Sequence, residues 1–184
     1  PVGPLALIDE VGIDVGVHVM RGNMTDLIKD RDGIKLNHSM PKMLEAGLEG
    51  RKSKKGFYHY VSKKGKVKKG KVNEGVYQYF DSPNVKKISD KEITERCILI
   101  LLNEAVWALE EGIIENVTDG DIGGVFGIGF LPWSGGPFSY MNQMGLSNIL
   151  DRMKHYQNLY GNKFQPRPML LEMAEKNEKF ELFT

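Results

Sequence analysis

One stretch of this 184-residue chain occurs twice. Gly3-Pro-Leu-Ala-Leu-Ile-Asp-Glu-Val-Gly-Ile13 aligns without a gap to Gly136-Pro-Phe-Ser-Tyr-Met-Asn-Gln-Met-Gly-Leu146, apolar on apolar and polar on polar. Repetition constrains a fold strongly, because each copy is one supersecondary unit that must find a similar setting. In each copy a proline follows a glycine, which suits the first turn of a helix, where a missing N–H costs nothing. A later glycine ends the short helix. Two copies of one helical unit are expected, the first incomplete, and the opening inside a motif without a leader reads as a piece of a longer chain.

After Gly12, the residues Ile13, Val17, Met20 and Met24 keep helical spacing and predict a second helix to about Leu27. His18 beside this stripe is read as an ordinary helix histidine. Residues 28–39 read as a loop, and Pro41 to Ala46 as a short helix stopped by Gly47. The composition then shifts. Between Gly50 and Asn73 fall ten lysines or arginines and no acid, although the chain's net charge is only +1. Such a run suits an anion site, a membrane surface or a partner, or else a solvated basic loop, the reading preferred for Lys63 to Lys71. Nucleic-acid bases would need aromatics to stack on, and none lies between Val61 and Gly75.

Ser89-Asp-Lys-Glu92 is a capping box and opens a long apolar helix that closes at Gly112. Ile93, Cys97, Ile100, Leu101, Glu104, Ala105, Ala108 and Leu109 are predicted to share its inner face. Asn103 and Glu104 stand inside the most apolar stretch and are read as structural polar residues that tie this helix to its neighbours, since a buried unpaired group costs about 1 to 3 kcal/mol. Thr118 is the predicted cap of the next helix. Its glycines at 120, 123, 124 and 127 read as packing residues, because no strand precedes them as a dinucleotide fingerprint requires. Leu146 to Tyr160 follow as a helix, Pro168 introduces a short helix from Met169 to about Lys176, and the tail is expected to fray. The chain thus reads as all-α, with 1–50 an incomplete repeat, 51–88 an extended basic linker and 89–184 a complete repeat.

No chemistry assembles unaided. Four scattered histidines lack metal-binding spacing, and the lone Cys97 has no nearby base and excludes an internal disulfide, which suits a reducing compartment. From the residues alone the chain is a helical binding or assembly module.

Three motifs in order carry a resemblance: Gly-Pro-x-x-Leu-x-Asp-x-x-Gly-Ile-Asp at 3–14, Gly50-Arg-Lys-Ser-x-x-Gly-Phe-Tyr58, and Asn103-Glu-Ala…Leu109-Glu-Glu-Gly112…Gly127-x-Gly-Phe-x-Pro132…Gly-Gly-Pro137. Together they resemble the C-terminal part of 3-hydroxyacyl-CoA dehydrogenases, in the tandem form of the α subunit of the multifunctional fatty acid β-oxidation complex and the mitochondrial trifunctional enzyme. That resemblance implies tandem helical domains of the 6-phosphogluconate-dehydrogenase C-terminal-like type. It implies a parent with an enoyl-CoA hydratase domain and an NAD-binding Rossmann domain that carries the catalytic histidine and glutamate. This stretch would then hold no catalytic residue, bind neither NAD nor a metal, and be inactive alone, reaching acyl-CoA only through the parent.

Phe126 stands where bacterial relatives have a substrate-contacting tyrosine, so it is the candidate substrate-binding residue, without the hydroxyl. The long helix that should precede Gly3 is absent, and the apolar face this leaves predicts self-association. A thiolase β subunit and an anionic membrane surface are the implied partners. The ending Glu181-Leu-Phe-Thr184 in place of Ser-Lys-Leu implies a mitochondrial parent. The competing reading is a non-enzymatic interaction module whose basic linker meets a membrane or an acidic partner.

Overall fold

The structure, a computed structural model, describes residues 2–22, 38–81 and 87–181. The chain divides into two compact units, Pro1–Lys86 and Lys87–Thr184. Helix is the main element of the second unit, while the first combines short helices with a two-stranded sheet.

In the first unit α1 (Pro4–Val11) and α2 (Ile13–Arg21) are separated by Gly12 alone, whose φ of 113° only glycine adopts easily. The second helix is shorter than its periodicity predicts: the Gly22 N–H donates to the carbonyls of His18 and Val19 and closes it, and Met24 and Leu27 lie outside the described residues. Helix α3 (Ser39–Glu45) packs on α2, with Ile13, Val17, Met43, Phe57 and Val76 buried between them.

The predicted linker is folded. Strands β1 (Tyr58–Lys63) and β2 (Lys66–Val72) pair antiparallel, with Lys63 opposite Lys66 across a two-residue turn. Lys64 and Gly65 both have positive φ, 50° and 72°, the turn whose twist matches a hairpin. The sequence expectation of a solvated loop at Lys63 to Lys71 is corrected, since basic charge masked a β-ribbon; the chain is mostly helical as expected, with this two-stranded sheet added. A 3-10 turn, Glu74–Tyr79, closes the unit, begun by Asn73, whose side chain accepts from the Gly75 N–H.

The second unit is built on α4 (Asp90–Glu110), with the Ser89 hydroxyl accepting the Glu92 N–H at 3.2 Å. Its buried face is Leu99, Leu102 and Val106, flanked by Ile98, Leu101, Ala105 and Leu109. The predicted face is thus rotated: Ile93, Cys97, Ile100 and Glu104 are exposed. Every residue from Ile98 to Leu102 is apolar, so spacing alone leaves the rotation open.

Helix α5 (Val117–Ile122) begins at Asn116, whose Oδ1 accepts the Asp119 N–H at 2.9 Å; Thr118, the predicted cap, lies inside the helix. A π-helical turn, Gly123–Gly127, continues it. Then come α6 (Pro137–Met144), α7 (Leu146–Tyr160) and α8 (Pro168–Glu175). The tail does not fray up to Phe180, whose ring meets Phe138 edge-on and whose backbone is held by Asn142.

Candidate functional site

Buried carboxylates organise both units. In the first, Asp9 on α1 is 1% exposed and accepts from the backbone N–H groups of Phe57 and Tyr58, each at 2.9 Å, and from the Tyr60 hydroxyl at 3.1 Å. The two backbone donors belong to the Gly50–Tyr58 motif and the phenol lies two residues beyond it, and the motif's glycines explain themselves. A Cβ on Gly50 would run into the Asp9 backbone, and one on Gly56 into the Asp9 carboxylate. Ser53 completes the loop, its hydroxyl accepting the Glu49 N–H at 2.9 Å. Burial, with the Asp9 carboxylate alongside, pushes the Tyr60 phenol far above its usual range, so it remains a donor at neutral pH.

In the second unit Asp121 on α5 is 5% exposed and accepts the Phe138 N–H at 2.7 Å, the Ser139 N–H at 3.1 Å and the Ser139 hydroxyl at 2.6 Å. It therefore caps α6 from outside, satisfying first-turn donors that the helix itself cannot. Gly136 is needed because a Cβ there would overlap Asp121. The two motif copies also share a polar position. Asn142, aligned with Asp9, donates to the Phe180 carbonyl at 2.8 Å and accepts the Phe180 N–H at 2.9 Å. Each copy thus pins a buried phenylalanine, Phe57 or Phe180, through its neighbouring backbone.

The glycines of α5 serve close approach. A Cβ on Gly120 would overlap the Phe138 ring, and one on Gly124 would lie 2.6 Å from Pro137 Cδ. Between α4 and this glycine-rich helix opens an apolar cleft of about 320 Å³, lined by Leu101, Ala105, Ala108, Ile114, Ile128 and Pro137 among others, with Glu104 and Asp119 also in its wall. A second hollow, formed by Ile122, Val125, Pro132 and neighbours, includes Phe126. The π turn projects Phe126 outward, 86% exposed. The surface there is mostly apolar, with the carboxylates of Glu104 and Asp119 in the cleft wall and that of Asp121, engaged by Phe138 and Ser139, beside the hollow.

The residues singled out in the sequence therefore separate. Phe126 lies at the exposed hollow. Asn103 on α4 donates to the Gln165 carbonyl at 2.8 Å and accepts the Arg167 N–H at 3.0 Å, which fastens the segment before α8. Glu104 is exposed, one position round the helix from Asn103, so its expected burial is corrected. Sequence reasoning missed Asp121 and Glu110; the latter accepts from the Arg167 Nε at 2.6 Å and from the Met169 N–H at 2.8 Å. A lone acid next to glycines gave no signal for the first, since its partners are 17 and 18 residues away.

Among the described residues no βαβ unit of the kind a dinucleotide fingerprint requires is formed. The glycine-rich segment is helical with no strand before it, and the sheet among the described residues is an antiparallel hairpin rather than a βαβ unit. Among the described residues no group of three histidine, cysteine or acidic side chains is arranged to hold a metal, and no helix is long and apolar enough to cross a membrane.

Comparison with known proteins bears on all of this. Over 183 residues the chain is 45% identical to the fatty acid oxidation complex subunit alpha of Shewanella frigidimarina, covering 98% of this chain and 25% of that protein. It is 43% identical over 180 residues to the same subunit of Vibrio cholerae, at 98% and 24% coverage. The chain thus spans about a quarter of the length of these relatives. Among solved structures, 3-hydroxybutyryl-CoA dehydrogenase from Escherichia coli matches with a TM-score of 0.62 at 19% identity, over 95% of this chain and 51% of that one, a likeness of fold. These relatives correct one expectation. Shewanella and Vibrio are bacteria without mitochondria, so the mitochondrial address inferred from the chain's ending does not stand. The family model for the 3-hydroxyacyl-CoA dehydrogenase C-terminal domain matches residues 1–60 and 93–181, and the chain belongs to that family.

Proposed function

We propose that this chain is the substrate-side and assembly region of a multifunctional fatty acid β-oxidation enzyme. The observation that carries the reading is the family match over both units, with 45% identity to a fatty acid oxidation complex α subunit. In this reading the parent oxidises 3-hydroxyacyl-CoA with NAD and also hydrates enoyl-CoA, both reactions lying in the three quarters of the protein outside this chain. NAD is held there too, since the residues here offer it no βαβ site. The two units are copies of one helical domain: α1 and α2 correspond to α6 and α7, Gly12 to Gly145, and Asp9 to Asn142. The first copy lacks the counterparts of α4 and α5.

The chain's own part is to offer apolar surface. The cleft between α4 and α5 and the ring of Phe126 suit an acyl chain, while Asn103, Glu110 and Asp121 hold the helices that form them. A thiolase β subunit is the proposed assembly partner. The test is NADH formation from a 3-hydroxyacyl-CoA, measured for the full-length protein and for Pro1–Thr184 alone. The full-length protein is expected to be active and the shorter chain silent; reduction of NAD by the shorter chain would overturn the reading.

A further inference from the structure

The hairpin β1–β2 concentrates charge in a way that the dehydrogenase reading does not use. Ten of the chain's 25 lysines and arginines, and none of its 24 acids, lie between Gly50 and Asn73. Near the base of the hairpin these cations are engaged. Arg51 pairs with Glu10 at 2.6 Å and donates to the Val67 carbonyl at 3.0 Å, Lys52 pairs with Asp14 at 2.5 Å, and Lys69 lies over the Tyr58 ring. Toward the tip Lys63, Lys64, Lys66 and Lys68 are exposed, and none forms an ion pair among the described residues.

We infer that the tip of this hairpin is a docking surface for an anionic lipid bilayer. Three observations favour a bilayer over other anions. The ribbon is exposed on both faces beyond Val61, so it is a protrusion, whereas a small phosphate ligand needs a concave site. Its tip cations are all lysines, flexible point charges suited to diffuse attraction; a protein interface favours arginine and aromatic anchors instead. Val61 and Val72 are more than half exposed among the lysines and give the ribbon apolar contact as it settles on headgroups. Each lysine near such a surface strengthens partitioning several-fold, and the effect fades within a Debye length.

The experiment is co-sedimentation of the chain with vesicles of phosphatidylcholine alone or mixed with phosphatidylglycerol. One variant carries Lys63→Gln, Lys64→Gln, Lys66→Gln and Lys68→Gln, leaving Gly65 in place for the two-residue turn. A control carries Lys91→Gln, Lys154→Gln, Lys176→Gln and Lys179→Gln, the same loss of net charge elsewhere. Circular dichroism confirms that both are folded. Binding to the anionic vesicles alone is expected, released by about 1 M salt, weakened at least tenfold in the hairpin variant and kept by the control. Equal binding to both vesicle types, no binding, or equal loss in both variants would overturn the proposal. So would retention by soluble polyglutamate without vesicle binding, which would assign the ribbon to an acidic protein.

Discussion

Asp9 and Asn142 hold the same place in the repeated motif, yet their hydrogen bonds show why one is an acid and the other an amide. Asp9 meets donors only, two backbone N–H groups and a phenol, so an acceptor at both oxygens is the right group. Asn142 meets one donor and one acceptor of Phe180, and a carboxylate there would face the Phe180 carbonyl. The exchange should therefore fail in both directions. Asp9→Asn points an amide N–H₂ at buried donors, and Asn142→Asp sets two acceptors together; each is expected to cost about 1 to 3 kcal/mol. Urea unfolding of the two variants would show it, and a neutral Asp9→Asn would mean that the buried carboxylate is replaceable. Gly56→Ala makes the complementary test. Its Cβ has no room beside the carboxylate, so the same unfolding assay should report a loss of at least the same order.

At the scale of elements, α4 and α7 are joined by ionisable side chains as well as by their core. Arg152 on α7 pairs closely with Glu95 on α4, and the Tyr156 hydroxyl donates to the same carboxylate at 2.7 Å. Burial acts to raise the Glu95 pKa, but the hydrogen bonds from Arg152 and Tyr156 outweigh it and hold the carboxyl below its usual range. A carboxylate with a depressed folded pKa stabilises fully above its unfolded value, about 4.3 for glutamate, and the contribution is lost as pH falls through the folded value. Glu95→Gln is expected to be less stable than the parent by about 1 to 2 kcal/mol at neutral pH, with the gap closing below about pH 4. A gap that stayed constant down to pH 3 in thermal melts would show that the packing of the residue matters and its charge does not.

How legible these elements were follows from where their determinants lie. Helix ends marked by local chemistry were readable: Gly-Pro before α1 and α6, Ser89 before α4, and Gly145 and Gly161 around α7. The rotation of α4 was not, because Ile98 to Leu102 offers apolar residues in nearly every direction and only its neighbours select Leu99, Leu102 and Val106. The hairpin was hidden for a related reason, since lysines occupy both of its faces and blur the alternation. Asp121 was out of reach, because its role depends on a loop that brings Phe138 and Ser139 back to it. The candidate site was legible as motifs and illegible as geometry: Phe126 stood out through resemblance alone, and its π turn had no local signature.

Taken whole, the molecule treats one motif in two ways. Phe138 is fully buried beneath Gly120 of α5, and burial of such a side chain is worth about 1.5 to 3 kcal/mol. Leu5, at the matching position, is 46% exposed, and Val2, Leu7 and Val11 around it are more exposed still. The second unit closes its own core, while the first presents an exposed apolar helix face that no counterpart of α4 covers among the described residues. For Pro1–Thr184 in solution, a second copy offers such a face a matching apolar surface. The isolated chain is therefore expected to self-associate as its concentration rises. Leu5→Glu with Val11→Glu should abolish this in sedimentation velocity without loss of helix, because both side chains already meet water. Phe138→Glu at the equivalent place should instead unfold the second unit, for there the same motif position is core. A parent chain that stays monomeric at every concentration, or a Leu5→Glu, Val11→Glu variant that associates as strongly as the parent, would show that the exposed face is tolerated as it stands.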